Sequence, residues 1–148
     1  MQYTRVRLHY RNAMNDVALT LYTSINDIIR RKFETGEFET EEEANTYGNS
    51  ITAVFSQACF EAGGDDFTDL MEEKLRDAAL TELPRVVEAA AHFYKVMNTF
   101  IMIKYKAGHF ASEDEAAAYG KEITEAFAEA CLEAGEDDFT EIFKSKLP

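Results

Sequence analysis

The residues that most often carry catalysis or hold metals are sparse in this sequence, and their spacing does not form a site. The three histidines, His9, His92 and His109, lie in separate stretches of the chain. Glu88 and His92 are four residues apart, which would place both side chains on one face of a helix. This pair falls short of the tetrahedral ligand set of a structural zinc site or the paired Glu-x-x-His motifs of a di-iron bundle. We therefore expect no metal, no cofactor and no enzymatic activity.

The two cysteines, Cys59 and Cys131, stand 72 positions apart in similar surroundings. Each follows an alanine, precedes a glutamate by two residues and lies near the C-terminal end of a predicted helix. A reactive thiolate favours basic surroundings or a helix N-terminus, and neither is present here. Two cysteines are also too few to indicate a disulfide framework. We interpret both as reduced, buried core residues.

Two pairs of adjacent aspartates, Asp65–Asp66 and Asp137–Asp138, suggest calcium binding as another candidate chemistry. An EF-hand loop needs oxygen ligands at alternate positions, a central glycine and a closing glutamate, and neither stretch has that order. Each pair instead follows a predicted helix end and precedes a phenylalanine. We therefore expect Asp66 and Asp138 to cap the N-termini of short helices.

These features recur because the chain contains an internal duplication with an offset of 72 residues. Twenty of the 38 positions from Phe38 to Leu75 are identical to those from Phe110 to Leu147, without a gap. A fixed internal period at this level of identity is typical of repeated structural units. We predict a single domain covering residues 1–148, with internal repeats at 12–83 and 84–148.

The elements that must position these residues are helices, three in each repeat. Apolar residues at helical spacing precede Gly36, which is typical of a glycine just beyond a helix C-terminus. The segments TEEE at 40–43 and SEDE at 112–115 have the pattern of a capping box at the start of the next helix. The sequence therefore predicts an all-α fold, a helical bundle of about six helices built from two tandem three-helix repeats. Apolar and basic residues alternate in residues 2–10, which predicts a short extended N-terminal arm.

Charge is distributed unevenly along this acidic chain. The net charge is −13 over 148 residues, of which 46% are hydrophobic. Residues 1–33 and 84–108 carry net charges of +4 and +3, whereas residues 34–83 and 109–148 carry −12 and −8. An acidic chain is a poor direct ligand for nucleic acids or anionic membranes, and it suits a protein partner with a basic surface. Because the chain also lacks a membrane-length apolar stretch and a signal-peptide pattern, we expect a cytoplasmic protein.

Positions at which the two repeats differ indicate where a partner would bind. In the second helix of the second repeat, three glutamates spaced three and four residues apart share one helical face. Their counterparts in the first repeat, Ser50, Ala53 and Gln57, are uncharged. The candidate partner-binding carboxylates are Glu122, Glu125 and Glu129, together with Glu136 and Asp137 in the loop that follows.

A second divergent stretch, NTFIMIKY at 98–105, is apolar around most of its helical circumference. Such a helix is usually buried on several sides, so the favoured interpretation places this stretch in the core. The alternative is that Met102 and Ile103 bind a second chain. Their counterparts in the first repeat are Arg30 and Arg31, so the two repeats do not share this feature.

The sequence favours a non-enzymatic acidic protein-interaction module that binds a protein partner. Small inhibitors and nucleic-acid mimics of the phage or mobile-element type belong to this class, by analogy of size, charge and fold. Two alternatives stay open. One is a ligand- or cofactor-binding helical bundle with its pocket between the duplicated helices. The other is an assembly or scaffolding factor, including a homo-oligomer, that uses Met102 and Ile103 as its contact.

Overall fold

The described part of the chain consists of helices and the loops between them. In this computed structural model, residues 2–63, 65–135 and 137–148 are described, without the side chains of residues 2, 3, 4 and 6. These residues form six α-helices and no strand. The helices are α1 (Gln2–Glu34), α2 (Glu41–Glu61), α3 (Phe67–Asp77), α4 (Pro84–Lys106), α5 (Glu113–Glu133) and α6 (Phe139–Lys146). The prediction of an all-α bundle of about six helices is confirmed.

The prediction of an extended N-terminal arm is wrong, because α1 begins at Gln2 and continues without a break to Glu34. A lone strand would need a neighbouring strand to pair its backbone groups, and the described residues contain none. A helix, in contrast, gains one backbone hydrogen bond for each residue that it adds. Tyr10 packs against the core, which holds this first part of α1 on the bundle.

Capping side chains and glycines set the helix boundaries as the sequence predicts. Thr40 Oγ1 accepts a hydrogen bond from the Glu43 amide at 3.2 Å, at the start of α2. Ser112 Oγ accepts one from the Glu115 amide at 3.3 Å, at the start of α5. Gly36, just beyond α1, has φ of +80°, a left-handed conformation that favours glycine. The second helix of each repeat therefore starts in the same way.

The aspartates before the short helices do not cap them, contrary to the prediction. Asp66 and Asp138 occupy the N-cap positions of α3 and α6, but neither side chain bonds to its helix. The Gly63 amide donates to Asp66 Oδ1 at 2.8 Å, and the Gly135 amide donates to Asp138 Oδ1 at 2.6 Å. The reason is that the backbone of both aspartates lies outside the extended region that N-cap residues typically adopt. The carboxylates instead close the turn that precedes each short helix.

Repeat-related helices pack against each other, and the short helices connect the two repeats. α1 contacts α4, α2 contacts α5, α3 contacts α2 and α4, and α6 contacts α5 and α1. Phe67 of α3 stacks on Tyr94 of α4 with 4.4 Å between ring centroids. Phe139 of α6 stacks on Tyr22 of α1 at 4.3 Å. These reciprocal contacts are those that an approximate two-fold axis between the repeats would produce.

Phenylalanines fill the centre of the bundle, where the two repeats meet. Phe55 of α2, Phe93 of α4 and Phe127 of α5 have no exposed surface. The Phe93 ring centroid lies 5.1 Å from that of Phe55 and 5.2 Å from that of Phe127. Both repeats therefore contribute to one aromatic cluster, and burial of such large apolar side chains is a dominant stabilising effect. The single domain with repeats 12–83 and 84–148 stays a prediction, which unfolding of Phe55 and Phe127 variants would test.

Candidate functional site

A groove of about 590 Å³ opens between the end of α2, the middle of α4 and the first half of α5. Its lining includes the buried side chains of Tyr94 and Met97. Phe60 stands at its edge with 68% of its surface exposed, which is the largest exposure among the large apolar side chains of the described residues. Pockets of roughly 300–1,000 Å³ accept small ligands, and an anchoring side chain of a partner protein is smaller still. The groove is thus a concave, partly apolar feature of a size that suits binding.

The groove depends on close packing between α4 and α5. A Cβ added at Gly120 would come within 3.2 Å of Ile101 Cδ1, so the Ile101 side chain would have to move by a few tenths of an ångström. The first repeat has the same contact, since a Cβ at Gly48 would lie 3.4 Å from Ile29 Cδ1. Both repeats therefore place this glycine close to an isoleucine of their first helix.

The two repeats use equivalent tyrosine hydroxyls differently. The Tyr22 hydroxyl donates a hydrogen bond to the Gly135 carbonyl at 2.8 Å. Tyr94 stacks on Phe67 in the same way as Tyr22 stacks on Phe139. Among the described residues, however, the Tyr94 hydroxyl makes no hydrogen bond that corresponds to the one from Tyr22. Because Tyr94 also lines the groove, its hydroxyl is a polar group that an occupant of the groove could bond.

Carboxylates line the outer surface of α5 beside the groove. Glu122, Glu125 and Glu129 are exposed, and Glu125 lies at the groove edge together with Lys121. Lys146 Nζ of α6 lies 3.7 Å from a carboxylate oxygen of Glu129 and partly offsets its charge. In the part of the chain that the structure describes, no ion pair involves Glu122 or Glu125. We call Glu122, Glu125 and Glu129 the acidic face.

The loop after α5 contains the two remaining predicted carboxylates. Asp137 is exposed there, and Glu136 lies outside the described residues. The last turn of α5 is fixed to α6 by an ion pair of 2.6 Å between Glu133 and Lys146. The structure therefore places Asp137 at the end of the same helix as the acidic face, without bringing it into contact with the groove lining.

The NTFIMIKY segment is buried on some of its sides and exposed on another. Phe100 is buried and Ile103 is partly buried, but Met102 is 53% exposed. α4 packs against α1, α3 and α5, which leaves one side of the helix open to solvent. The solvent-facing stripe on that side consists of Glu88, His92, Lys95, Asn98, Met102 and Tyr105. An apolar side chain at this position is available for contact with another molecule.

A cluster of basic residues lies where the start of α1 meets the end of α4. Lys104 is partly buried there, and burial, followed by the nearby charges of Arg7 and Arg11, lowers the pKa of its ammonium group. We call Lys104, Arg7 and Arg11 the basic end. The positive segments of the sequence contain them, but their meeting depends on the antiparallel packing of α1 on α4.

The corresponding place in the first repeat has balanced charge. Lys32, the counterpart of Lys104, donates a hydrogen bond to Glu37 Oε1 at 3.2 Å. The counterpart of Glu37 in the second repeat is His109, so Lys104 has no carboxylate at that position. Both lysines also lie over an equivalent tyrosine, since the Lys104 ammonium is 5.1 Å from the ring centroid of Tyr119 and the Lys32 ammonium is 5.3 Å from that of Tyr47.

The cysteines and histidines do not form a metal centre in the described residues. Burial raises the pKa of both the Cys59 and the Cys131 thiol, so neither is activated as a nucleophile. Both thiols are partly rather than fully buried. No group of three or more His, Cys, Asp or Glu side chains among these residues is arranged to hold a metal ion.

None of the described helices combines the length and apolar character needed to cross a bilayer.

Comparison with known proteins finds no matching family model, no matching curated protein and no matching solved structure. The function is therefore argued from the geometry of the groove, the acidic face and the basic end. Sequence reasoning left a pocket between the duplicated helices open as an alternative, but it did not identify the residues that line the groove or the exposed Phe60. The signal for Phe60 was its counterpart Leu132, because both are large apolar residues outside the buried stripe of their helix.

Proposed function

We propose that this protein is a non-enzymatic acidic interaction module that binds a protein partner with a basic surface. The observation that carries this proposal is the position of the acidic face beside an apolar groove with exposed Phe60 at its edge. Protein interfaces combine an apolar, well-packed centre with a polar rim. A partner would place an apolar side chain in the groove and basic side chains against Glu122 and Glu125.

The charge of the surface supports a basic partner, and the role of the carboxylates is then steering and specificity. Glu122 and Glu125 are exposed and lie on a chain of net charge −13. Complementary rim charges raise the association rate and exclude wrong partners more than they add affinity. Most of the binding free energy is therefore expected from the groove and Phe60.

Mimicry of nucleic acid is a narrower version of this proposal. Carboxylates three and four residues apart on a helix are separated by about 4.5 and 6 Å along its axis. Phosphates of one DNA strand follow each other every 3.4 Å or so along the duplex axis. The acidic face is thus sparser than a phosphate backbone, which favours a groove-centred protein contact.

The experiment that tests the proposal compares charge reversals on two surfaces. The tagged wild type and the E122K/E125K/E129K variant are used to capture proteins from cells of the source organism, and captured partners are titrated by calorimetry. We expect the triple variant to bind more weakly and with a smaller salt dependence, while folding is retained because exposed substitutions cost little stability. The control variant E72K/E73K/D77K makes the same charge change on α3 and should bind as the wild type does. Equal affinity of the triple variant would overturn the proposal.

The groove itself supports a second candidate function, the binding of a small apolar ligand. Tyr94 offers a hydroxyl beside the apolar side chains of Met97 and Ile101, and polar side chains such as Gln57 and Asn98 also line the groove, which suits a largely apolar ligand with polar groups. A neutral fluorescent probe such as N-phenyl-1-naphthylamine would report such binding. Probe binding that Tyr94→Phe and Met97→Ala both weaken, with no protein partner captured, would favour this function.

A further inference from the structure

The Tyr94 hydroxyl in the groove lacks the hydrogen bond that its counterpart makes in the first repeat. Tyr94 is only 8% exposed and lines the groove. The Tyr22 hydroxyl donates to the Gly135 carbonyl, in the loop after α5, at 2.8 Å. The counterpart of Gly135 is Gly63, and no hydrogen bond joins Gly63 to Tyr94. Because a nearly buried hydroxyl without a partner costs free energy, the groove offers a donor that a bound molecule can satisfy.

The position of the Tyr94 ring brings this hydroxyl to the groove. Tyr94 stacks on Phe67 with 4.4 Å between ring centroids, and Tyr22 stacks on Phe139 at 4.3 Å. Since the two rings are placed alike, the Tyr94 hydroxyl is directed toward the loop after α2, where Ala62 lines the groove. The hydroxyl oxygen is not fully enclosed by protein atoms. A molecule in the groove can therefore reach it.

The charged side chains that line the groove balance each other. They are Glu61 of α2 and Lys121 and Glu125 of α5. Lys74 Nζ lies 2.8 Å from a carboxylate oxygen of Glu61 and offsets its charge. This leaves one cation and one carboxylate, both on α5. The groove is thus a locally neutral place on a chain of net charge −13, and its side chains favour no ligand of either sign.

The Tyr94 hydroxyl needs an acceptor for its proton, and this requirement decides between the possible head groups of a ligand. An ammonium group has donors and no acceptor, so it would leave that proton unpaired. A carboxylate accepts, but it would approach Glu125 and the C-terminus of α2, whose last turn has no basic residue and whose carbonyls carry partial negative charge. An uncharged carbonyl or hydroxyl oxygen meets neither obstacle. It also resembles the carbonyl that Tyr22 binds.

We propose that the groove binds a neutral small molecule with an apolar body and a carbonyl or hydroxyl oxygen as its polar head. The oxygen accepts a hydrogen bond from Tyr94, and the apolar body contacts Met97, Ile101 and Phe60. The groove volume of about 590 Å³ lies within the usual range for small-molecule sites. This inference rests on the proposed function of the groove as a ligand site, and it names the class of ligand.

Competition for the groove by ligands that share one alkyl chain tests the proposed head group. Octanol and octanamide are neutral, whereas octanoate and octylamine are ionised at about pH 7. Each ligand is titrated against the wild type with N-phenyl-1-naphthylamine bound, and displacement is read from the fluorescence. We expect the two neutral ligands to displace the probe at concentrations about 2- to 10-fold lower than the two ions, because only they supply a neutral acceptor to Tyr94.

Two pairs of matched variants test the residues. Tyr94→Phe should weaken octanol and octanamide binding by about 2- to 10-fold, whereas Tyr22→Phe, which removes the same oxygen from the other repeat, should leave it unchanged. Ala117→Trp adds bulk at an exposed position of the groove lining and should prevent probe binding. Asn45→Trp makes the equivalent change in the first repeat and should not. Circular dichroism verifies that every variant is folded.

Failure of the inference has defined forms. A wild type that binds no probe, ions that compete as well as octanol, or equal effects of Tyr94→Phe and Tyr22→Phe would each overturn it. If Tyr94→Phe does not fold, the order of the head groups and the Ala117→Trp variant still decide. Probe binding without preference for neutral head groups would retain the groove as a ligand site and overturn the ligand class. Capture of a basic protein partner through the acidic face is measured without these ligands, so its failure is distinguishable.

Discussion

The inner faces of α2 and α5 are nearly the same, whereas their outer faces differ. Ile51, Phe55 and Ala58 are buried in α2, and identical residues 72 positions later are buried in α5. The outer face of α2 is uncharged at the positions where α5 carries the acidic face. Buried positions of both repeats have to fill one shared space, so they tolerate little change. Outer positions lack that constraint, and their difference identifies the surface on which a partner would act.

The C-terminal ends of α1 and α4 also differ in the charges around equivalent residues. At the end of α1, Lys32 is paired with Glu37, and the pairing holds the pKa of that carboxyl below its usual range, chiefly through the hydrogen bond from Lys32. At the end of α4, Lys104 has other cations as neighbours instead, and its pKa is lowered. The equivalent lysines of the two repeats therefore have a carboxylate partner in one case and cationic neighbours in the other.

The largest expected effect concerns the buried phenylalanines that the two repeats share. Phe55→Ala and Phe127→Ala should each lower the free energy of unfolding by about 3–5 kcal/mol, because each removes a fully buried ring. Their rings lie 5.7 Å apart, so the double variant should deviate from additivity. Chemical denaturation should show one transition in every variant. Two separate transitions, or loss of only one repeat, would contradict a single shared core.

A second prediction concerns the two thiols, which the repeats bury alike. Burial raises the pKa of Cys59 and Cys131 in the folded state, while the ordinary value is 9.0. Each raised pKa contributes stability that is present below pH 9.0 and is lost as the unfolded chain ionises at higher pH. One pH unit above that value, the loss should be about 1 kcal/mol for each thiol. Urea unfolding at about pH 8 and about pH 10 should therefore show a smaller decline in C59A/C131A than in the wild type. A decline in stability of equal size in C59A/C131A and in the wild type would show that the thiols have the same pKa in the folded and the unfolded state.

The smallest expected effect concerns the equivalent tyrosines, at which removal of the hydroxyl should change stability differently in the two repeats. Tyr22→Phe should lower the free energy of unfolding by about 0.5–1.5 kcal/mol, since it removes the partly buried hydrogen bond to the Gly135 carbonyl. Tyr94→Phe should have almost no effect, because its hydroxyl has no corresponding partner in the described residues. Thermal or chemical unfolding of both variants measures the difference. Losses of equal size would mean that the two hydroxyls are in equivalent environments.

Local features were the most predictable from sequence. The capping hydrogen bonds at Thr40 and Ser112 and the left-handed Gly36 follow from short-range chemistry that the sequence displays directly. The N-terminal arm was misjudged because the alternation in residues 2–10 also fits a helix, and continuation of α1 decided between them. Asp66 was misjudged because its cap needed a backbone conformation that the sequence does not reveal.

The sequence by itself determined the helices, their approximate boundaries and the duplication, because these depend on spacing and on contacts within a few residues. Only the tertiary structure decided that Met102 faces solvent, since exposure depends on which sides of α4 its neighbours cover. It also decided that Phe60 borders a groove and that Arg7 and Arg11 lie near Lys104. These residues are far apart in the chain, and the packing of repeat-related helices is the physical cause that brings them together.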